Sequence, residues 1–360
     1  MVNNVNEIRS LIQKSKYFYI TGHTNPDGDS IGACFGLGLA LKKMGKKVRV
    51  LLEPFHHKYD VIPGQHLMYM AQKVEIPQVT ISQRTVCGQK DVDQAQDSDL
   101  CLIWTEAVLI CVDCADINRL TDCYKTLAQD LSYIISIDHH YSNTHFANHN
   151  FVDEQASSTC EMIYRILDGF VELDQNIAAA LYAGIAGDTG GFRYSSTSQD
   201  TMQIAGKLIS FDIPFTDIYT ELLHRRSYTE VKLLERVLAN CLLSAEGTVI
   251  HACVTQEMMT GFEGAPDATP QDLDGMVEYL LNIRGAKIAL LVYDCCHDGD
   301  IKVSLRSRNV NVGSIAQQLG GGGHHLAAGA TVKGDIFQIR DKVLSLIRGE
   351  QNIFRCDQCL

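Results

Sequence analysis

Three short apolar runs in the first half of this chain each end in a cluster of carboxylates or imidazoles. The clusters are His23-Thr-Asn-Pro-Asp27-Gly-Asp29, Val112-Asp113-Cys-Ala-Asp116 and Asp138-His139-His140. Residues 17–21, 108–112 and 133–137 lead into them, and continuous apolar runs of this length predict strands buried on both faces of a parallel sheet. In such a sheet the carboxyl ends of the strands line the ligand crevice. Residues 30–44 read as a helix and 47–52 as the next strand, which completes a βαβ unit. Gly32, Gly36 and Gly38 each lower helix propensity by up to about 1 kcal/mol, so close packing of this helix on the sheet is expected. A fourth segment differs: residues 177–186 read as helical and deliver Gly187-Asp188-Thr-Gly-Gly-Phe192 at their end.

A chain of 360 residues is long for one hydrophobic core, so two domains are expected. The pattern places a first domain, which holds the four polar clusters, at 1–194, a polar helical connector at 195–236 and a smaller α/β domain at 237–348. Gly349 would end the last helix and open a loose tail, 349–360. Within the second domain we expect a strand at 248–254, a helix at 272–283 and a hairpin of 287–294 with 301–306 around Asp298-Gly299-Asp300. A run of glycines, 320–323, then precedes His324, and a helix spans 335–348. The fold class is therefore α/β: a parallel-sheet domain with helices on both faces, a smaller second domain, and a cleft between them. Residues 55–100 show no firm periodicity.

With 46% apolar and 21% charged residues the chain reads as an ordinary soluble protein. No run approaches about 18 apolar residues and residues 1–15 lack a signal-peptide core, so a cytoplasmic protein without a membrane partner is expected. Thirteen cysteines, an odd number, point to reduced thiols. The pairs Cys111/Cys114 and Cys356/Cys359 lack the second ligand pair that a zinc site needs. A net charge of −12 argues against a surface that tracks long nucleic acid. A short anionic substrate is compatible, since metal ions and a few arginines can meet its charge locally.

Taken singly, each polar cluster has a simpler reading. Asp27 could cap the helix that follows, Asp113 could do the same at its strand end, and Asp188 could belong to a helix C-terminus. Taken together, four elements that finish in metal-compatible groups point to one centre, and mixed carboxylate and imidazole donors suit a pair of divalent ions and hydrolytic phosphate chemistry.

These segments resemble the DHH phosphoesterases, and within them the branch of bacterial nanoRNases and pAp phosphatases. His23-x-Asn-Pro-Asp27-x-Asp29-x-x-Gly32 resembles the family's first motif, Asp113 its second, Asp138-His139-His140 its third and Gly187-Asp188-Thr-Gly-Gly its fourth. Ser304-Leu-Arg306-Ser and Gly320-Gly-Gly-Gly-His324-x-x-Ala327-Ala-Gly329 resemble the DHH-associated C-terminal domain. The resemblance implies two metal ions, most simply manganese. His23, Asp27 and Asp113 would hold one, and Asp29, Asp113, His139 and Asp188 the other, with Asp113 bridging. His140 would act beside them as proton donor or phosphate contact, and Asp138 would orient His139. Arg306, Gly321, Gly322, Gly323 and His324 would contact substrate. The implied activity is hydrolysis of short oligoribonucleotides to nucleoside 5′-monophosphates, together with removal of the 3′-phosphate of pAp. Hydrolysis of cyclic or linear dinucleotides is the nearest alternative within the enzyme class, and a catalytically silent nucleotide-binding module is the alternative outside it. Oligomeric state, a homodimer included, stays open.

Overall fold

The computed structural model of the chain describes residues 4–69, 107–121, 124, 125, 128, 131, 133–244, 246–294, 299–323 and 325–357, with the backbone alone for 350–357. Most of the aperiodic stretch 55–100, together with Asp298, His324 and Cys359, lies outside the described residues. The chain divides into two compact units, Met1–Arg225 and Arg226–Leu360.

In the first unit, β1 (Tyr17–Thr21), β2 (Lys47–Leu51), β3 (Val108–Val112), β4 (Tyr133–Asp138) and β5 (His149–Val152) form one sheet in the order β2-β1-β3-β4-β5. All four pairings are parallel. Alternate side chains of a strand face opposite sides, so Phe18 and Ile20 join the core with α2 (Gly28–Lys43), α3 (Thr159–Leu167) and α4 (Gln175–Asp188). Tyr19, Leu109 and Cys111 face the other way, onto Leu120, Tyr124, Ala128 and Leu131. Helix α1 (Val5–Lys14) is tied to α3 through Arg9, whose Nε donates to the Ile166 carbonyl at 2.8 Å.

The glycines of α2 serve mainly a neighbouring helix rather than the sheet. A Cβ at Gly32 would stand 2.6 Å from the Ala180 carbonyl oxygen, and one at Gly36 would stand 2.7 Å from Leu181 Cδ2. Both therefore let α2 and α4 approach closely, which draws the start of α2 and the end of α4 into the same layer. Helices α5 (Gln199–Ile209) and α6 (Phe215–Leu223) lie in the first unit and α7 (Tyr228–Ala239) in the second. The boundary thus falls inside the segment read as a connector.

The second unit is a mixed sheet in the order β10-β11-β9-β8-β7-β6, built from β6 (Leu242–Leu243), β7 (Val249–Val254), β8 (Ile288–Asp294), β9 (Asp300–Ser307), β10 (Gly322–Gly323) and β11 (Ala327–Lys333). Strands β8 and β9 form the expected antiparallel pair. Ile288, Leu290 and Val292 of β8 pack with α9 (Val312–Gln318) and α10 (Ile336–Asp357), while Ala289, Leu291 and Tyr293 pack with α7 and α8 (Met276–Leu281).

Two expectations are corrected here. The helix expected at 272–283 is a 3-10 turn, Pro270–Leu273, followed by α8, because Gly275 at φ +76° breaks the run in the left-handed region. The last helix does not end at Gly349 but continues to Asp357. A glycine inside a helix costs only about 1 kcal/mol, and Ile336, Ile339, Val343 and Ile347 have already anchored α10 to the sheet. No helix among the described residues is long and apolar enough to cross a membrane.

Candidate metal centre

The four polar clusters sit where their elements end. Asp27 does cap α2: its Oδ1 accepts from the Asp29 and Ser30 amides at 3.0 and 3.1 Å. Its other oxygen faces His23 Nε2 at 3.9 Å, so one carboxylate serves both purposes. The His23 ring is oriented through Nδ1, 2.8 Å from the Thr24 carbonyl. Asp113 leaves β3 at φ +54°, a left-handed conformation that costs a non-glycine residue about 1–2 kcal/mol. Its amide donates to the Ile137 carbonyl at 3.0 Å, which holds the strained turn against β4. Asp188 is the last residue of α4, and the chain then turns through Gly190, Gly191 and Phe192, all at positive φ.

Asp113 stands in the middle of the cluster. Its Oδ2 is 3.5 Å from His23 Nε2 and its Oδ1 is 3.7 Å from His139 Nε2, while His139 Nε2 lies 3.4 Å from Asp188 Oδ2. Ligand atoms of His23, Asp27 and Asp113 lie within 4.8 Å of one another, as do those of Asp29, His139 and Asp188, and those of Asp113, His139 and His140. The structure thus brings together all six residues singled out as metal ligands.

The donor set fits divalent cations. Separations of 3.4–3.9 Å between imidazole nitrogen and carboxylate oxygen are too long for hydrogen bonds. They approach the spacing of about 3.0–3.5 Å between two ligands each about 2.1 Å from one ion. The electrostatics agree. Burial, then the charges of Asp27, Asp29, Asp138 and Asp188, push the Asp113 carboxyl well above the usual carboxylate range. Burial and the neighbouring Asp29, Asp27 and Asp138 raise Asp188 to about 8, against the pull of His139. Asp29 is raised chiefly by its burial. Burial alone would lower His139, but Asp188, Asp29 and Asp138 together raise it. Such a crowd of buried carboxylates is relieved by positive charge placed among them. Burial also keeps the nearby Cys34, Cys111 and Cys160 thiols protonated, so the available donors are oxygen and nitrogen.

Several functional contacts were not read from the sequence. Asp138 was expected to orient His139, but its Oδ1 pairs with His140 Nδ1 at 2.7 Å, and Asn143 donates to its Oδ2 at 2.7 Å. His139 Nδ1 instead lies 3.3 Å from the Ala156 carbonyl. Burial pushes the Asp138 carboxyl upward, but the hydrogen bonds from His140 and Asn143 and the charges of His140 and His139 together hold it below its ordinary value. Asp29 is gripped by the start of α3, whose Thr159 and Cys160 amides donate to its two oxygens at 2.6 and 2.9 Å. Arg119, exposed, helps burial to lower His23, and its carbonyl accepts from the Thr24 amide at 2.8 Å. Asn143, five residues beyond a buried carboxylate, carried a readable signal; the amide clamp on Asp29 carried none.

In the second unit Arg306 and the glycines 321–323, the expected substrate contacts among the described residues, gather at one end of the sheet. Arg306 on β9 registers with Ala327 of β11, and Gly322 and Gly323 of β10 register with Gly329 and Ala328. Arg306 Nε donates to Glu278 Oε1 at 2.7 Å, and Arg308 is spent on the Ala286 and Leu281 carbonyls. A Cβ at Gly321 would lie 2.1 Å from the Gly329 carbonyl oxygen, and one at Gly323, where φ is +137°, would lie 2.5 Å from that of Ala327. These two glycines are therefore needed by the β10–β11 pairing itself, whereas a Cβ at Gly322 would meet open space.

The family model for the DHH family, N-terminal domain, matches residues 17–185, and that for the DHHA1 domain matches 247–349. The bifunctional oligoribonuclease and PAP phosphatase NrnA of Thermus thermophilus is 28% identical over 335 residues, 92% of this chain and 89% of the relative. The protein of the same description from Bacillus subtilis is 31% identical over 231 residues, 63% of this chain and 70% of the relative. Among solved structures, an exopolyphosphatase-related protein from Bacteroides fragilis superposes with a TM-score of 0.79 at 23% identity, covering 97% of this chain and 96% of that one. The family match and the relatives named for oligoribonuclease and PAP phosphatase activity place the chain among hydrolytic enzymes of the phosphoesterase class. The chain belongs to the DHH family, with a DHHA1 domain in its second unit.

Proposed function

We propose that this protein is a manganese-dependent phosphodiesterase that hydrolyses short oligoribonucleotides to nucleoside 5′-monophosphates, and that the same centre removes the 3′-phosphate of pAp. The observation that carries this reading is the convergence of His23, Asp27, Asp29, Asp113, His139 and Asp188 around the single carboxylate of Asp113. The relatives named for oligoribonuclease and PAP phosphatase activity support the choice of substrates. Both reactions break the same kind of bond. Water adds to phosphorus, the bond from phosphorus to the ribose 3′-oxygen breaks, and that oxygen leaves with a proton.

His23, Asp27 and Asp113 would hold one ion, and Asp29, Asp113, His139 and Asp188 the other. Two bound divalent ions polarise the phosphoryl oxygens and lower the pKa of water. His140 supplies the leaving oxygen with its proton, and Asp138, braced by Asn143, holds the imidazole in the orientation this transfer requires. Arg306, Gly321, Gly322, Gly323 and His324 bind the remaining phosphates and the nucleotide. Oxygen-rich donors with two imidazoles favour manganese over a thiol-seeking metal.

The test is to strip the full chain of metal, restore manganese, and follow a diribonucleotide, pAp, c-di-AMP and pyrophosphate side by side. Turnover of the diribonucleotide and pAp with manganese is the expected result. Consumption of pyrophosphate alone, or turnover unaffected by metal removal, would overturn the proposal.

A further inference from the structure

Glu161 lies in the first unit, third residue of α3 and in its first turn, and has no place in the chemistry above. It is fully buried, as are Ser157, Ser158, Thr159 and Thr201 around it. A carboxylate taken out of water is tolerated only with donors enough to replace it. Glu161 has them: its Oε2 accepts from the Ser157 hydroxyl at 2.6 Å, the Thr201 hydroxyl at 2.7 Å and the Ser157 amide at 3.3 Å. Its Oε1 accepts from Arg165, which is itself paired with Asp153 at 2.9 Å. Ser158 caps the same helix by accepting from the Glu161 amide at 3.1 Å. The turn 157–160 is thereby held on both sides of its backbone.

That turn carries the two amides, of Thr159 and Cys160, that grip both oxygens of Asp29. The Thr159 hydroxyl also lies 3.4 Å from Asp113 Oδ1. An apolar side chain at position 161 could fill the space, but it could not fix the backbone of residue 157 or reach Thr201 on α5. The hydrogen-bond chain runs Thr201 to Glu161, Glu161 to the Ser157 turn, and the turn to Asp29. We infer that Glu161 is a positioning residue for Asp29, and through it for the metal site of Asp29, His139 and Asp188, with Thr201 as the brace that ties α5 to that site. The inference rests on reading these residues as a metal centre.

The experiment is calorimetric titration of the metal-stripped full chain with Mn2+, with a thermal melt of each metal-free variant. Wild type is expected to bind two ions. In Glu161→Gln one of the two sites is expected to weaken by about 10-fold or more, while the other keeps its affinity to within a few-fold. Thr201→Val, which keeps the shape and removes the hydroxyl, is expected to weaken the same site several-fold, and Thr201→Ser, which keeps the hydroxyl, to restore it. Unchanged affinity in Glu161→Gln and Thr201→Val would overturn the inference while leaving the metal centre standing. Equal weakening of both sites in step with a fall in melting temperature would overturn it too, as a general loss of structure. Should Glu161→Gln fail to fold, the valine and serine pair decides alone. A wild type that binds no Mn2+ would overturn both the inference and the reading beneath it.

Discussion

The two units handle charge in opposite ways. In the first, Asp29 and Asp113 are buried beside His139 with too little positive charge among them, and the two carboxyls are forced upward. In the second, Arg306 has Glu278 and Arg308 has backbone carbonyls, so each of these two cations finds a partner inside its own unit. Charge left uncompensated in a core marks a place built for something the chain does not supply. Charge compensated locally can be redirected to a substrate only by giving up an existing partner. The first unit should therefore govern whether the reaction occurs, and the second how tightly a substrate is held.

The sharpest way to break this contrast is Asp113→Ala. It is expected to lower kcat/KM by about 10³-fold, a few kcal/mol of lost transition-state stabilisation, with the circular dichroism spectrum unchanged. A variant that stays within tenfold of wild type would remove the basis of the comparison. His140→Ala should lower kcat by about 10²-fold, as expected for loss of a general acid, while Mn2+ affinity stays near that of wild type. A parallel loss of metal would make His140 a ligand instead. Arg306→Ala should act on the other side of the contrast, raising KM about tenfold with kcat nearly unchanged and Mn2+ binding untouched. A fall in kcat without a change in KM would show that the second unit takes part in chemistry.

The smallest effect is on stability. In the metal-free protein Asp188 titrates at about 8, whereas its ordinary value is 3.8. Between those values the folded state holds more protons than the unfolded state, so stability falls as pH rises through the window. Melting temperatures of the metal-free chain should drop by a few degrees from pH 5 to pH 8, and added Mn2+ should flatten the curve. A metal-free melting temperature that climbs with pH would contradict the picture of crowded, uncompensated carboxylates.

Much of the candidate site was legible because its ligands stand at the ends of elements, or in the turn between two of them, whose type can be read locally. The apolar run 108–112 declares a buried strand, and a buried parallel strand delivers whatever follows it, here Asp113, to the crevice. The same logic serves Asp138 to His140, and a helical version of it serves Asp188. Local reading failed where a choice depended on distant residues. Asp138 pairs with His140 rather than orienting His139 because Asn143 and the backbone of Ala156 compete for the neighbouring positions. Gly349 lies inside a helix because the turns before it are already fixed to a sheet.

By itself, the sequence determined the strands and the helix that lead into the four polar clusters and which residues stand at their ends, since strand and helix periods and polar terminations are properties of neighbouring residues. Only the tertiary structure decided how those ends are oriented. Asp29 meets amides of Thr159 and Cys160 across more than a hundred residues of chain, and Glu161 meets Thr201 across another forty. Hydrogen bonds of that kind arise from packing α2 on α4 and seating α3 and α5 beside them, and no local pattern encodes a partner that far away.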